Sequence, residues 1–215
     1  MGAGIGQALW QRQLSAGLAK MGIQLDSNQQ QKLLDYLSLL VKWNKTYNLT
    51  AVRDPVEMVS RQLLDSLSIL SLLSGRELLD LGSGPGLPGV PLAIARSDIN
   101  FTLLDANGKK CRFIAQAKIE LQLDNVQVKC ARVEKFVPEN PFDMVLSRAF
   151  ASLSEMLELS AHLVAADGCL LAMKGAVHQE EIDAAVGKSI GVKIHALKVP
   201  GTIGQRHAIV CRASV

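Results

Sequence analysis

The sequence predicts an α/β fold whose sheet is mostly parallel, ends in an antiparallel pair and is preceded by a helical segment. Three observations predict it. From Glu77 onward short apolar runs alternate with helix-like stretches, the pattern of a parallel sheet covered on both faces. The last two apolar runs are joined only by the loop from Pro200-Gly201 to Arg206, too short for a helical crossover, so they form a hairpin. Before Glu77 the apolar residues recur at helical spacing instead.

The helical part reads as three segments. Trp10, Leu14 and Leu18 share a face, and Gly22 follows as a C-cap. Asp26-Ser27 opens a second helix with Leu33, Leu34, Leu37, Leu40 and Val41 on one stripe, stopping between Asn44 and Asn48. Asp54-Pro55 then supplies an N-cap followed by proline at the first helical position. Val56, Val59, Leu63, Leu64 and Leu67 form the apolar face of that third helix. No Gly/Ser- or Pro-rich linker follows. Residues 1–74 are therefore expected to be a helical cap packed on a core of residues 75–215, one structural unit overall.

In the core, strands are expected at Glu77–Leu81, Phe101–Asp105, Val126–Lys129, Asp143–Ser147, Cys169–Met173, Lys193–Val199 and Ala208–Arg212. Helices are expected near Val90–Arg96, Lys109–Leu123, Ser152–Val164 and Gln179–Gly187. There are no internal repeats.

Composition narrows the function classes. With 215 residues, 48% of them hydrophobic, the chain can bury one substantial core. A formal charge of +3 excludes a polybasic binder but allows a local basic face for RNA or DNA. The four cysteines, Cys111, Cys130, Cys169 and Cys211, are scattered and read as reduced thiols of a cytosolic protein. The histidines are equally dispersed, so no metal site is expected. No apolar stretch approaches a membrane span and the start lacks a secretory pattern, so a cytoplasmic, monomeric protein is expected.

The most informative stretch runs from Leu78 to Gly89: an apolar strand enters Asp80, then Gly82, Ser83, Gly84, Gly86 and Gly89 lead into a helix. Glycines belong where a ligand approaches the backbone closely. At the end of the next strand stands Asp105, placed to accept hydrogen bonds from both hydroxyls of an adenosine ribose. Gly84, Gly86 and Gly89 alone would also satisfy a dinucleotide fingerprint. Asp80 argues otherwise, because a carboxylate sits badly beside a pyrophosphate and suits a cationic cofactor bearing an amino group. The D-x-G-x-G-x-G pattern resembles motif I of the methyltransferases. The expected fold is thus an α/β, Rossmann-like class I S-adenosylmethionine methyltransferase sheet, with S-adenosyl-L-methionine as cofactor.

The end of the fourth strand speaks to the acceptor. After Asp143–Ser147 the chain continues Arg148-Ala-Phe-Ala-Ser152. This lacks the Asn/Asp-Pro-Pro-aromatic element of amino-group methyltransferases and the cysteine nucleophile of cytosine-C5 enzymes. An acceptor that is already nucleophilic fits, such as a guanine N7, which loses no proton on methylation. Catalysis would then be alignment, a contribution of up to ~7–11 kcal/mol. Arg148 and Lys174 are positioning candidates, Arg148 toward substrate or the cofactor's carboxylate. An ordinary strand-end salt bridge is the competing reading of Arg148.

Trp43-Asn-Lys-Thr-Tyr-Asn-Leu-Thr50 with Val52-Arg-Asp-Pro55, Leu64-Asp-Ser66, the Gly82–Gly89 loop, Leu103-Leu-Asp105 with Lys109-Lys110 and Phe113, Arg132-Val-Glu134, Ser147–Leu153 and Lys174-Gly175 together resemble one family closely. It is the bacterial RsmG family, also called glucose-inhibited division protein B. The resemblance covers nearly the whole chain, most weakly before Leu33 and after Gly175. It implies methylation of guanine N7 in the decoding-centre loop of 16S ribosomal RNA, with naked RNA or the small ribosomal subunit as partner. It also implies cofactor contacts at Gly82, Leu87, Val133, Glu134 and Arg148. Asp105 on the ribose comes from the fold rule and is compatible with the family; Ser83 stands where a threonine is also seen.

For RNA contact the sequence offers Lys42, Lys45, Arg53 and Arg61 beside Trp43 and Tyr47, and Lys109, Lys110, Arg112, Lys174, Arg206 and His207. Taken singly such residues are more often solvated surface charges. Trp43 and Tyr47, four apart on a helix, are more often core packing. A small-molecule methyltransferase, a nicotinamide-dependent oxidoreductase and a non-enzymatic RNA-binding protein remain as rival readings.

Overall fold

The computed structural model describes residues 3–148, 152–186 and 189–213; Ala149-Phe150-Ala151, part of the motif after the fourth strand, lies outside them. Helix α1 (Ala3–Met21) ends at Gly22, whose amide bonds back to Ala19 O while Ile23 N reaches Leu18 O. Helix α2 (Ser27–Tyr47) begins with a full capping box: Asp26 accepts from Gln29 N at 2.8 Å, and Gln29 Oε1 accepts from Asp26 N at 3.0 Å. The Gln29 amide also donates to Ile94 O and Ala95 O, so one side chain starts α2 and ties it to the end of another helix. The third helical run opens on Asp54 and Pro55 as predicted. It passes from α3 (Pro55–Met58) through a π-helical stretch, Val59–Leu64, into α4 (Asp65–Leu67). A π-helical segment inside an α-helix re-aims side chains and is frequent at functional sites.

The core alternates strand and helix: β1 (Glu77–Leu81), α5 (Gly89–Ala95), β2 (Asn100–Asp105), α6 (Gly108–Glu120), β3 (Val126–Cys130), β4 (Phe142–Ser147), α7 (Leu153–Ser160), β5 (Val164–Lys174), α8 (Gln179–Val186), β6 (Ser189–Ala196) and β7 (His207–Ala213). The strands form one seven-stranded sheet in the order β3-β2-β1-β4-β5-β7-β6. All neighbours are parallel except β7, which runs antiparallel to both β5 and β6. The expected hairpin is present, with β7 inserted beside β5 and β6 left at the edge.

Two apolar layers flank the sheet, and period-two alternation along β1 assigns its residues to opposite faces. Leu78 joins Leu14, Leu37, Leu63 and Phe113 in the layer shared by the N-terminal helices, α5 and α6. Leu79 joins Val145, Leu157, Ala185 and Ile209 in the layer under α7 and α8. Helices α2 and α6 are antiparallel: Lys32 Nζ donates to Gln122 O beyond the end of α6, while Trp43 meets Phe113 with ring centroids 5.6 Å apart. The C-terminal end of α2 is thereby carried to the rim where the parallel strands end.

Two strands differ from expectation by more than one residue at an end. Strand β5 starts at Val164, not Cys169: Asp167-Gly168 reads as a turn, yet Gly168 lies inside the strand beside a register shift against β4. A Cβ there would stand 2.9 Å from Asp143 O, which is why glycine fits. Strand β6 runs Ser189–Ala196, not Lys193–Val199, and it stops short of Val199 because the apolar pattern past it serves a different contact. Val199 is buried in the layer of the N-terminal helices, so the β6–β7 loop folds onto them. Among the described residues no helix is long and apolar enough to cross a membrane, and no group of three or more metal-ligating side chains converges.

Candidate active site

The glycine loop connects the carboxyl end of β1 to α5, and neighbouring main chain holds it. Gly82 N and Ser83 N both donate to Leu104 O, at 2.9 and 3.0 Å, and Gly86 N and Leu87 N both donate to Ser83 O at 2.8 Å. From the helical side, the buried Tyr36 hydroxyl donates to Pro85 O at 2.9 Å. Gly82 and Gly84 have φ of +67° and +60°, and a Cβ built on either would meet nothing within 4 Å. Space is therefore left open where the backbone turns left-handed, the cradle a ligand lying against the loop requires. Gly89 serves the opposite purpose: a Cβ there would stand 2.7 Å from Asp80 Oδ2.

Asp80 is fully buried; Oδ2 accepts from Gly89 N at 2.7 Å, and Oδ1 has no partner. Burial pushes its carboxyl up to about 7, against the pull of the Gly89 amide and the more distant Arg148 charge. At the neighbouring strand end the Ser147 hydroxyl is also buried with no partner among the described residues, but, one position beyond the Leu146 that pairs with Asp80, it belongs to the opposite face of the sheet. Buried polar atoms are nearly always satisfied, so the bare Asp80 oxygen beneath the glycine loop suits a ligand's polar group. An ammonium-bearing cation suits the Asp80 oxygen, which makes the site a fit for S-adenosylmethionine.

Asp105 ends β2, and its carboxylate grips the loop: Oδ2 accepts from Gly84 N at 2.9 Å and Oδ1 from Asn107 N at 2.8 Å. Lys110 Nζ lies 3.7 Å from Oδ2. A carboxylate offers about four lone-pair directions, so both oxygens retain capacity for a ligand's hydroxyls. One strand further out, Cys130 is the register partner of Asp105, and Val133 and Glu134 follow it on the same rim. The Val133 side chain is buried in the layer under α7, and Glu134 is exposed. Leu87 likewise points its side chain into the core, leaving main chain as what that position offers. Hydrogen bonds thus bring Gly82, Ser83, Gly84, Leu87 and Asp105 together at the ends of β1 and β2, with Val133 and Glu134 following the neighbouring strand β3.

Arg148, at the end of β4, turns toward the N-terminal helices. Nη2 donates to Gln62 Oε1 at 3.0 Å, Nη1 to Arg61 O at 3.2 Å, and Nη1 lies 3.5 Å from Asp65 Oδ2. Arg206 Nε approaches the other Asp65 oxygen at 3.4 Å, out of hydrogen-bond alignment. Burial raises the Asp65 carboxyl above its ordinary value, and the two guanidinium groups oppose that rise. Gln62 and Asp65 escaped the sequence reading, which quoted Leu64-Asp-Ser66 without a role. The available signal was a carboxylate inside the apolar run Leu63–Leu67. Arg148 and Arg206, with Asp65, Lys174 and His207, line a small cavity of about 90 Å³ at the strand ends. Lys174 pairs with Glu181 at 2.8 Å, and His207 Nδ1 lies 2.7 Å from Gly175 O.

The other basic candidates lie at the surface. Lys42, Lys45, Arg53, Lys109 and Arg112 are exposed, and Arg61 is exposed but paired with Glu57 at 2.8 Å. Arg53 donates to Asn48 Oδ1, pinning the chain just past α2. Trp43 packs half-buried between Tyr47 and Phe113, whereas Tyr47 leaves 41% of its surface exposed.

The family model for rRNA small subunit methyltransferase G matches residues 29–210. The chain is 51% identical over 205 residues to the ribosomal RNA small subunit methyltransferase G of Ectopseudomonas mendocina, covering 94% of this chain and 96% of that protein. To the protein of the same name from Methylobacillus flagellatus it is 52% identical over 199 residues, covering 93% and 96%. Among solved structures it is similar to a SAM-dependent O-methyltransferase from Thermotoga maritima, with TM-score 0.57 and 13% identity over 74% of this chain and 71% of the other. M. jannaschii TYW2, solved with AdoMet, gives TM-score 0.55 and 16% identity over 71% and 75%. At such identities the structural likeness is one of fold.

Proposed function

This chain belongs to the rRNA small subunit methyltransferase G family, and we propose on that premise that it methylates N7 of a guanine in the decoding-centre loop of 16S ribosomal RNA. S-adenosylmethionine supplies an electrophilic methyl group on a sulfonium centre. The observation that carries the reading is the orphaned buried Asp80 Oδ1 on the strand that leads into an open glycine cradle.

The residues divide the work. Asp80 accepts from the cofactor's ammonium group, and Asp105 accepts from the ribose hydroxyls while it holds Gly84 in place. Val133 and Glu134 border the adenine. Arg148, braced by Gln62 and Asp65, retains an Nε–H that no described residue accepts, and that donor serves the cofactor's carboxylate. A guanine N7 presents its lone pair with no proton to lose, so the strand-four end needs no general base. Catalysis is the alignment of that nitrogen with the methyl group. The basic rim, with Lys42, Lys45, Arg53, Arg61, Lys109, Arg206 and His207, neutralises phosphates around the target base.

The test is transfer of labelled methyl from S-adenosylmethionine to small subunits, and to naked 16S RNA, taken from cells lacking this gene. Label in 16S RNA is expected. Label only in small-molecule acceptors would favour the small-molecule reading instead.

A further inference from the structure

A second groove lies on the side of the N-terminal helices, away from the glycine loop. It is about 660 Å³ and is enclosed by the end of α1, the stretch Leu67–Leu72, Arg96 at the end of α5, and His195–Lys198 at the end of β6. Its walls carry Lys20, Arg96, His195 and Lys198 and no aspartate or glutamate. In a chain with 23 Lys and Arg against 20 Asp and Glu, the walls carry three of the cations, Lys20, Arg96 and Lys198, and no acidic residue. Arg96 is paired with Asp98 just outside, at 2.7 Å. Lys20 and Lys198 have no side-chain partner among the described residues, so no structural contact accounts for either.

The groove adjoins the cavity at the strand ends through one shared lining residue. Leu197 lines both this groove and the small cavity with Arg148, Arg206 and His207. The same short stretch bonds its amide to Arg206 O at 2.7 Å, which fixes Lys198 relative to the mouth. On the opposite wall, Leu67 stands two residues after Asp65 in the same helical run. A polyanion passing Leu197 from the mouth would therefore meet walls that carry Lys198, His195 and Lys20.

We propose that this groove is a second RNA track, holding the phosphodiester backbone of the ribosomal RNA segment that adjoins the target guanine. The inference rests on the rRNA-methyltransferase reading and adds a binding surface to it. Phosphate contacts of this kind set register and affinity without touching the reacting atoms. Lys20 and Lys198 thereby help to bind the RNA substrate and take no part in cofactor binding.

The test compares wild type with the doubly substituted Lys20→Gln/Lys198→Gln protein, and with Lys20→Glu/Lys198→Glu. Binding to 16S RNA is titrated over a range of salt, with steady-state methyl transfer measured in parallel. Two lost phosphate contacts should lower the log–log salt slope by about 1.4 and weaken RNA affinity several-fold at low salt. KM for RNA should rise with kcat and the affinity for S-adenosylhomocysteine unchanged, and the glutamate pair should be more severe. An unchanged salt slope and KM in variants that still bind S-adenosylhomocysteine normally would overturn the proposal. Failure of the wild type to methylate 16S RNA at all would instead strike the function on which it rests.

Discussion

Asp80 and Gly89 meet across the glycine loop at 2.7 Å, which engages one oxygen of a fully buried carboxylate and leaves the other bare. A Cβ on Gly89 would collide with the same side chain. The loop is thus folded around a potential charge, and the cost of that charge depends on what else occupies the crevice.

The first prediction follows from its protonation. Burial lifts the Asp80 carboxyl from 3.8 to about 7, so the empty protein keeps a proton that the unfolded chain releases. The folded state then binds more protons than the unfolded one, and this group's contribution to stability falls as pH rises from about 4 through about 7. A cationic cofactor favours the ionised form, so its binding should expel the proton. Calorimetry at about pH 6 in buffers of different ionisation enthalpy should show proton release on binding S-adenosylmethionine, with affinity weakening as pH falls below about 7. Asp80→Asn should abolish the proton release; persistence of that release would assign it to another group.

Asp105 holds both the loop and, in this account, the sugar. Charge-assisted hydrogen bonds contribute about 1.5–3 kcal/mol each. Asp105→Ala should therefore weaken cofactor binding by roughly ten- to a hundred-fold in a titration with S-adenosylhomocysteine. Unchanged affinity would refute its ribose role.

Gly84 tests the cradle itself. At φ +60° an alanine incurs about 1–2 kcal/mol of backbone strain and projects a methyl into open space. Gly84→Ala should lose more cofactor affinity than that strain alone costs in stability. Comparing calorimetric binding with urea unfolding of the same variant separates the two.

Asp65 links the N-terminal helices to the strand ends through Arg148 and Arg206. Removing one partner of a mostly buried ion pair leaves charge uncompensated, and breaking a deeply buried pair costs about 3–5 kcal/mol. Both arginine side chains keep some solvent contact, 23% and 29% exposed, so about 1–3 kcal/mol is expected for Asp65→Ala. Urea unfolding measures it. A cycle with Arg148→Ala should show strong non-additivity; additive losses would mean the pair is not coupled.

What was legible in the sequence was local. Asp26-Ser27, Asp54-Pro55, and the run from Asp80 through Gly89 each carry their structural reason within about a dozen residues, the reach of capping and turn chemistry. The mostly parallel sheet and its antiparallel hairpin followed from alternation and one short loop. The illegible parts were contacts between distant segments. Arg148 and Asp65 are separated by 83 positions, and nothing in the apolar run Leu63–Leu67 reveals that a π-helical turn carries Asp65 to the strand ends. Val199 sits in a run that reads as strand, yet it is buried against the N-terminal helices. Gly168 looks like a turn residue, and only the approach of the Asp143 carbonyl shows it to be strand. The basic groove was equally hidden, since Lys20, Arg96 and Lys198 come together only through the packing of α1 and the β6–β7 loop onto the sheet.

The most direct measurement is the chemical identity of the methylated nucleoside. Small ribosomal subunits lacking the modification are incubated with the protein and S-adenosylmethionine, and their 16S RNA is digested to nucleosides for mass spectrometry. A single gain of 7-methylguanosine, traced to the decoding-centre loop and lost with Asp80→Asn, is the predicted result. A methyl on an exocyclic amine or a ring carbon, or no new methylated nucleoside, would contradict the assignment of an acceptor that needs no base.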